Sequence, residues 1–193
     1  MTPPVTVEAL DAARVRAGWA FEGIYATLAG PVRRFLSAQG APDPDALTQD
    51  VFVRVFGGLG GFDGDAEQLR SWVFTVARNL LIDQRRAAAR RPVIAEAAVP
   101  EQGVPGAEDD VVAGLDAGRV RAVLDALPAD QREVVVLRFL LDLPLAEVAT
   151  VTGRSTSAVK ALQHRGLAGL RRRREDPAVA TASSVGAPRF TTA

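Results

Sequence analysis

Of the 193 residues none is cysteine and only one, His164, is histidine. The missing thiols exclude disulfides and thiolate metal sites, and one imidazole makes a histidine-based metal site implausible. Lysine occurs once, at Lys160, so the basic character is almost wholly arginine. No apolar run approaches the roughly 18 residues that would read as a membrane span. The opening MTPPVTVEALDAARVR lacks the apolar core of a signal peptide, so a soluble, cytoplasmic protein is expected. No strand-length alternation and no internal repeat is visible. The expected fold class is therefore all-α: two small helical domains joined by a flexible linker, the C-terminal one containing a helix-turn-helix. Titratable residues are scattered and no nucleophile stands with a base, so neither catalysis nor a cofactor is expected.

What the chain does carry is charge in blocks. The totals balance, with 23 Lys and Arg against 23 Asp and Glu, but their distribution does not. Between Val93 and Gly118 every charge is acidic: Glu96, Glu101, Glu108, Asp109, Asp110 and Asp116. Arg85, Arg86, Arg90 and Arg91 precede this block, and from Gly153 to Arg174 there are seven basic side chains and no acid (Arg154, Lys160, Arg165 and Arg171 to Arg174). Local basic blocks of this kind suit nucleic-acid contacts.

The most informative stretch is LAEVATVTGRSTSAVKALQHRGLAGLRRRR, residues 145–174. A short apolar-periodic segment with Val148 and Ala149 runs into a turn at Thr152-Gly153-Arg154. A longer helix then opens at Ser155 or Thr156, both good N-caps. Two helices about a tight glycine turn form the helix-turn-helix pattern. In the second helix Val159, Leu162, Gly166 and Leu170 share one stripe, and Lys160, Ala161, His164 and Arg171 lie on the other side. Small residues beside donors suit a helix placed in the DNA major groove.

In the N-terminal half, Phe21, Ile24, Tyr25, Leu28, Val32, Phe35 and Leu36 keep helical spacing, and Pro31 predicts a kink or break near Gly30. A helix over 46–56 carries Leu47, Val51 and Val55 inward. Phe52 and Phe56 fall off that stripe and read either as an exposed partner surface or as packed on a second helix. Residues 57–67 (GGLGGFDGDAE) are too glycine-rich for a helix and read as a loop, with Phe62 its one large side chain. A strong helix over 68–90 then turns Leu69, Trp72, Val73, Val76, Ala77, Leu80 and Leu81 inward. Ser71, Phe74, Arg78, Ile82 and Arg85 lie opposite. Phe74 beside Arg78 is a plausible stacking platform for unpaired bases, and Arg85 and Arg86 are expected to hold phosphates. Residues 1–16 are frayed or begin a helix. Residues 119–127 and 128–141 read as two further helices, the latter opened by Pro128 with Asp130 in its first turn.

Three blocks in this order resemble the extracytoplasmic-function (ECF) class of bacterial RNA polymerase sigma factors. DALTQDVFVRVF (45–56) is similar to the family's polymerase-binding helix, SWVFTVARNLLIDQRRAAARR (71–91) to its −10 promoter helix, and residues 126–172 to its −35 domain. The resemblance implies that 17–92 binds polymerase and reads the −10 element, that 93–117 is an acidic tether, that 118–175 reads the −35 element, and that 176–193 is a disordered tail. It implies polymerase contacts for Gln49, Asp50, Phe52 and Phe56. Asn79 matches a residue that reads the −10 element, and the loop holding Phe62 matches the element that captures a flipped-out base. Lys160, Ala161, His164 and Arg165 match −35 contact positions, with Arg154 and Ser155 on phosphate. The partners implied are core RNA polymerase (the β′ clamp helices and the β subunit), promoter DNA, and an anti-sigma protein. Ala46 departs from the family's usual acid before Leu47. The competing class is a helix-turn-helix repressor or response-regulator output protein. It accounts for residues 119–175 and leaves the helix over 71–91 unexplained.

Overall fold

The structure, a computed structural model, describes residues 7–14, 17–90 and 120–174. The acidic segment and the C-terminal tail lie outside these. The described residues form two groups of helices and contain no strand.

The first group comprises α1 (Val7–Arg14), α2 (Gly18–Ala38), α3 (Pro44–Gly58) and α4 (Ala66–Arg90). α1 packs on α2 and buries Leu10 and Ala13, so the N-terminal segment does begin a helix. α2 is unbroken. Pro31 sits inside it and is itself buried, together with Ile24, Leu28, Val32, Phe35 and Leu36. An interior proline costs about 3 kcal/mol. Burying these five apolar side chains of the same helix, at roughly 1.5–3 kcal/mol each, outweighs that. The expected break near Gly30 is therefore absent.

α3 begins at Pro44, two residues earlier than the apolar spacing indicates. Asp43 caps it by accepting the Ala46 N–H at 2.9 Å, with Pro44 as the first helical residue. Asp45 pairs with Arg33 of α2 at 2.6 Å. The segment 57–67 is less irregular than its glycines imply. α3 runs to Gly58, and Leu59–Gly61 adds a 3₁₀ turn anchored by fully buried Leu59. α4 then starts at Ala66 through a reciprocal capping box: Gln68 N–H donates to Asp65 Oδ1 (2.8 Å) and Asp65 N–H to Gln68 Oε1 (3.0 Å).

The second group comprises α5 (120–125), α6 (Ala129–Val135) continued by a wide π-type turn (Val136–Leu140), α7 (Leu145–Thr152) and α8 (Thr156–Arg174). Val134, Leu137, Leu143, Val148 and Val159 fill its centre. α8 lies close on α6 at Gly166. A Cβ there would stand 2.7 Å from Val135 Cγ2, so the missing side chain permits the approach.

The two groups are not held apart. α4 lies against α7, the turn after α6 touches α2, and buried residues of both groups join in one continuous cluster. Two helical lobes are present as expected, but they are packed side by side.

Candidate nucleic-acid interface

The helix-turn-helix is built by two local devices. At the end of α7, Gly153 takes a left-handed φ of 64°; its N–H reaches the Thr150 carbonyl and that of Arg154 reaches Ala149. This pair of bonds satisfies the orphan carbonyls and reverses the chain. Ser155 then caps α8, accepting the Ala158 N–H at 3.2 Å. With Val159 and Leu162 buried beneath, the helix turns Lys160, Ala161, His164 and Arg165 to solvent. Arg165 Nε donates to its own Ala161 carbonyl at 3.3 Å, which lays it along the rim. Arg154 crosses to Asp130 at the start of α6 (3.0 Å), and an open hollow lies between these elements, lined by Asp130, Gln131, Arg154, Ala158, Leu162 and Arg165. The exposed face is thus basic, edged by short side chains, and carries no acid on its own helix. It can offer donors to base edges and phosphates.

The face expected on α4 is different. Phe74 is 1% exposed and meets Phe35 edge-on, with ring centroids 5.8 Å apart; it is a core residue and cannot stack on a base. Arg78 is largely enclosed, its Nε donating to Glu133 Oε1 at 2.7 Å. Asn79, Arg85 and Arg86 remain exposed. Arg85 donates to the Gln39 carbonyl, while Arg86 stands 3.9 Å from Asp83, an exposed pair of little energetic weight. Phe62 is half-buried, stacked on Trp72 at 4.9 Å with 26° between planes. Its backbone is tied down by Arg14, which donates to the carbonyls of Phe62 (3.2 Å) and Gly64 (2.5 Å).

Gln49, Asp50, Val53 and Arg54 are among the exposed residues of α3. Phe52 and Phe56 do not project. Phe52 is 2% exposed beneath Tyr25 (4.8 Å), and half-buried Phe56 meets Phe21 (4.8 Å) and Phe52 (5.6 Å). Of the two readings of these rings, packing on a second helix is the one observed, because α2 supplies Phe21 and Tyr25 to cover them. On this lobe the large apolar side chains that solvent reaches are Val53, Tyr25 and Trp19, 71%, 42% and 55% exposed. Helical spacing grouped Tyr25 with Phe21 and Ile24 and did not mark it as exposed.

Comparison with known proteins agrees with the order of these parts. Residues 24–91 match the Sigma-70 region 2 family and residues 117–170 match Sigma-70 region 4. The ECF RNA polymerase sigma factor ShbA of Streptomyces griseus is 33% identical over 132 residues, 65% of this chain and 68% of that protein. SigL of Mycobacterium tuberculosis, also an ECF RNA polymerase sigma factor, is 31% identical over 134 residues, covering 68% of this chain and 74% of SigL. In fold the chain is similar to CnrH in its complex with the cytosolic domain of CnrY (TM-score 0.67, 24% identity, 89% of this chain and 97% of that one). The chain belongs to the ECF RNA polymerase sigma factors. It is an alternative sigma factor, a transcription initiation factor that acts with core RNA polymerase on promoter DNA. The region 2 match accounts for the residues a simple repressor leaves unexplained. No described helix is long and apolar enough to cross a membrane.

Proposed function

We propose a division of labour between the lobes. α8 reads the −35 element in duplex DNA through Lys160, Ala161, His164 and Arg165, with Arg154 and Ser155 on phosphate. The observation that carries this is the acid-free outer face of α8, fixed outward by buried Val159 and Leu162. α4 and the turn before it engage the melted −10 strand: Asn79 reads a base, Arg85 and Arg86 hold phosphates, and Phe62 on Trp72 walls the capture loop. Arg78 joins them when its carboxylate partner is displaced. Gln49 and Asp50 of α3, with Val53, contact the polymerase clamp. Phe52 and Phe56 support that surface from beneath. The functional units run from about 17 to 92 and from 118 to 175, tethered by the acidic segment.

The chain does no chemistry of its own and works in the cytoplasm, where the polymerase is. Linking two weak readers raises the effective concentration of the second once the first is bound. An anti-sigma protein is the class of inhibitor the family likeness implies. The test is transcription in vitro with core polymerase and a promoter library. Lys160→Ala with Arg165→Ala should abolish −35-dependent initiation while core binding stays intact. Unchanged transcription from the same promoter would reject this face as the reader.

A further inference from the structure

α1 lies ahead of the functional unit drawn from residue 17 and has no part in the division of labour above. It is nonetheless firmly seated. Leu10 and Ala13 are each 1% exposed, and α1 touches both α2 and the 3₁₀ turn at Leu59–Gly61. Arg14, its last residue, reaches the backbone that follows this turn. Nε donates to the Phe62 carbonyl at 3.2 Å and Nη2 to the Gly64 carbonyl at 2.5 Å, while Nη1 donates to Asp11 Oδ1 at 2.9 Å. Each nitrogen of the guanidinium therefore has a partner, with a carboxylate behind it and two carbonyls in front.

Two carbonyls two residues apart thus converge on one cation. Their dipoles repel unless a donor lies between them, and charged donors make the strong bonds. A trans peptide sets each N–H opposite its carbonyl. Turning the Phe62 carbonyl toward α1 turns the Asp63 N–H away from it, and Asp63 is exposed. The Gly64 carbonyl fixes the Asp65 N–H in the same way, and that donor meets Gln68 Oε1 at 3.0 Å. The Phe62 ring is fixed along with its backbone. It stacks on Trp72, and a Cβ at Gly64 would stand 2.4 Å from its Cζ, so the turn folds directly against the ring.

We infer that Arg14 is a positioning residue for base capture: α1 braces the turn 62–65 from behind, in the shape that receives a −10 base. The inference rests on the reading of this turn as the capture element. Enclosing an unstacked base repays the unstacking best when the backbone donor and the aromatic wall already stand in place. Arg14 supplies that order without touching DNA.

The test uses the full chain and Arg14→Ala, with two readings. The first is amide hydrogen exchange at Phe62 and Asp65, whose N–H groups are bonded to Leu59 O and Gln68 Oε1. Loss of two charged-donor bonds should speed exchange at both by roughly tenfold or more. The second is transcription with core polymerase from promoters in which each −10 position is varied in turn. Preference at one position, on the order of tenfold for a well-read base, should fall to about twofold. Phe62→Ala should flatten the same position. Preference at the −35 element should stay as in the wild type, whereas a chain that is simply less folded loses output from every promoter in proportion. Glu8→Gln, on exposed α1 surface, should change neither reading. Unaltered exchange in Arg14→Ala overturns the brace. Faster exchange with every −10 preference retained, while Phe62→Ala flattens one, overturns the positioning role. If Phe62→Ala also retains every preference, the turn is not the capture element, and the inference falls with that reading.

Discussion

α8 of the second lobe and α4 of the first, the two helices proposed to meet DNA, carry similar residue types, yet only α8 presents them freely. α8 has its neighbours on one side: α6 and α7 cover Val159, Leu162 and Gly166, and the opposite face is left to solvent. α4 is touched by α2, α3 and α7. Its outer strip becomes an interface, with Phe74 in the core and Arg70, Ser71 and Arg78 engaged by carboxylates. A helix with one contact face can be sorted by angle alone. A helix wedged among several cannot, because periodicity gives the strongest stripe and not the number of neighbours.

The largest effect expected from this contrast is on stability. Phe74→Ala should destabilise the chain by roughly 3–5 kcal/mol, as for a buried aromatic, whereas a base-stacking Phe74 would cost little. Chemical unfolding of the full chain measures the difference. Gly166→Ala comes next: the added Cβ overlaps Val135 and should cost about 1–3 kcal/mol unless α6 and α8 separate. The same unfolding experiment reads it, and an unchanged midpoint would mean the helices do not pack as described. Ser155→Ala should cost roughly 0.5–2 kcal/mol through the lost cap. Because Ser155 is also placed on phosphate, Ser155→Asp, which caps equally well but repels phosphate, should restore stability and not promoter binding. The smallest effect is expected from Arg86→Ala on α4. It should leave the fold intact and reduce the slope of log affinity against log salt by about 1 for strand binding. An unchanged slope removes Arg86 from the strand path.

Much of the fold was legible because local signals and periodicity agreed. The helix-turn-helix is the clearest case: a glycine where φ must be positive, a serine where a cap is needed, and a stripe that the structure buries. The start of α4 was not read: the capping box in Asp65-Ala66-Glu67-Gln68 was there to find, but the surrounding glycines led to a loop up to residue 67. Of the kink or break expected at Pro31 the break does not occur, because tertiary burial offsets the proline's intrinsic cost. Phe52 and Phe56 were ambiguous for a related reason. Their cover is Tyr25 and Phe21 of α2, and no spacing within α3 reports which helix lies beside it. The contacts of Glu133 with Arg78 and of Glu147 with Arg70 were beyond reach, since they join residues 55 to 77 positions apart.

Dependence on the polymerase separates a sigma factor from any protein that uses its helix-turn-helix alone. The direct measurement is protection of a cognate promoter with the chain alone, core polymerase alone, and the two together, followed by transcript mapping. The account predicts −35 and −10 protection and a defined start site only when both are present. Protection of the promoter by the chain alone, or no start site with core polymerase, would contradict it.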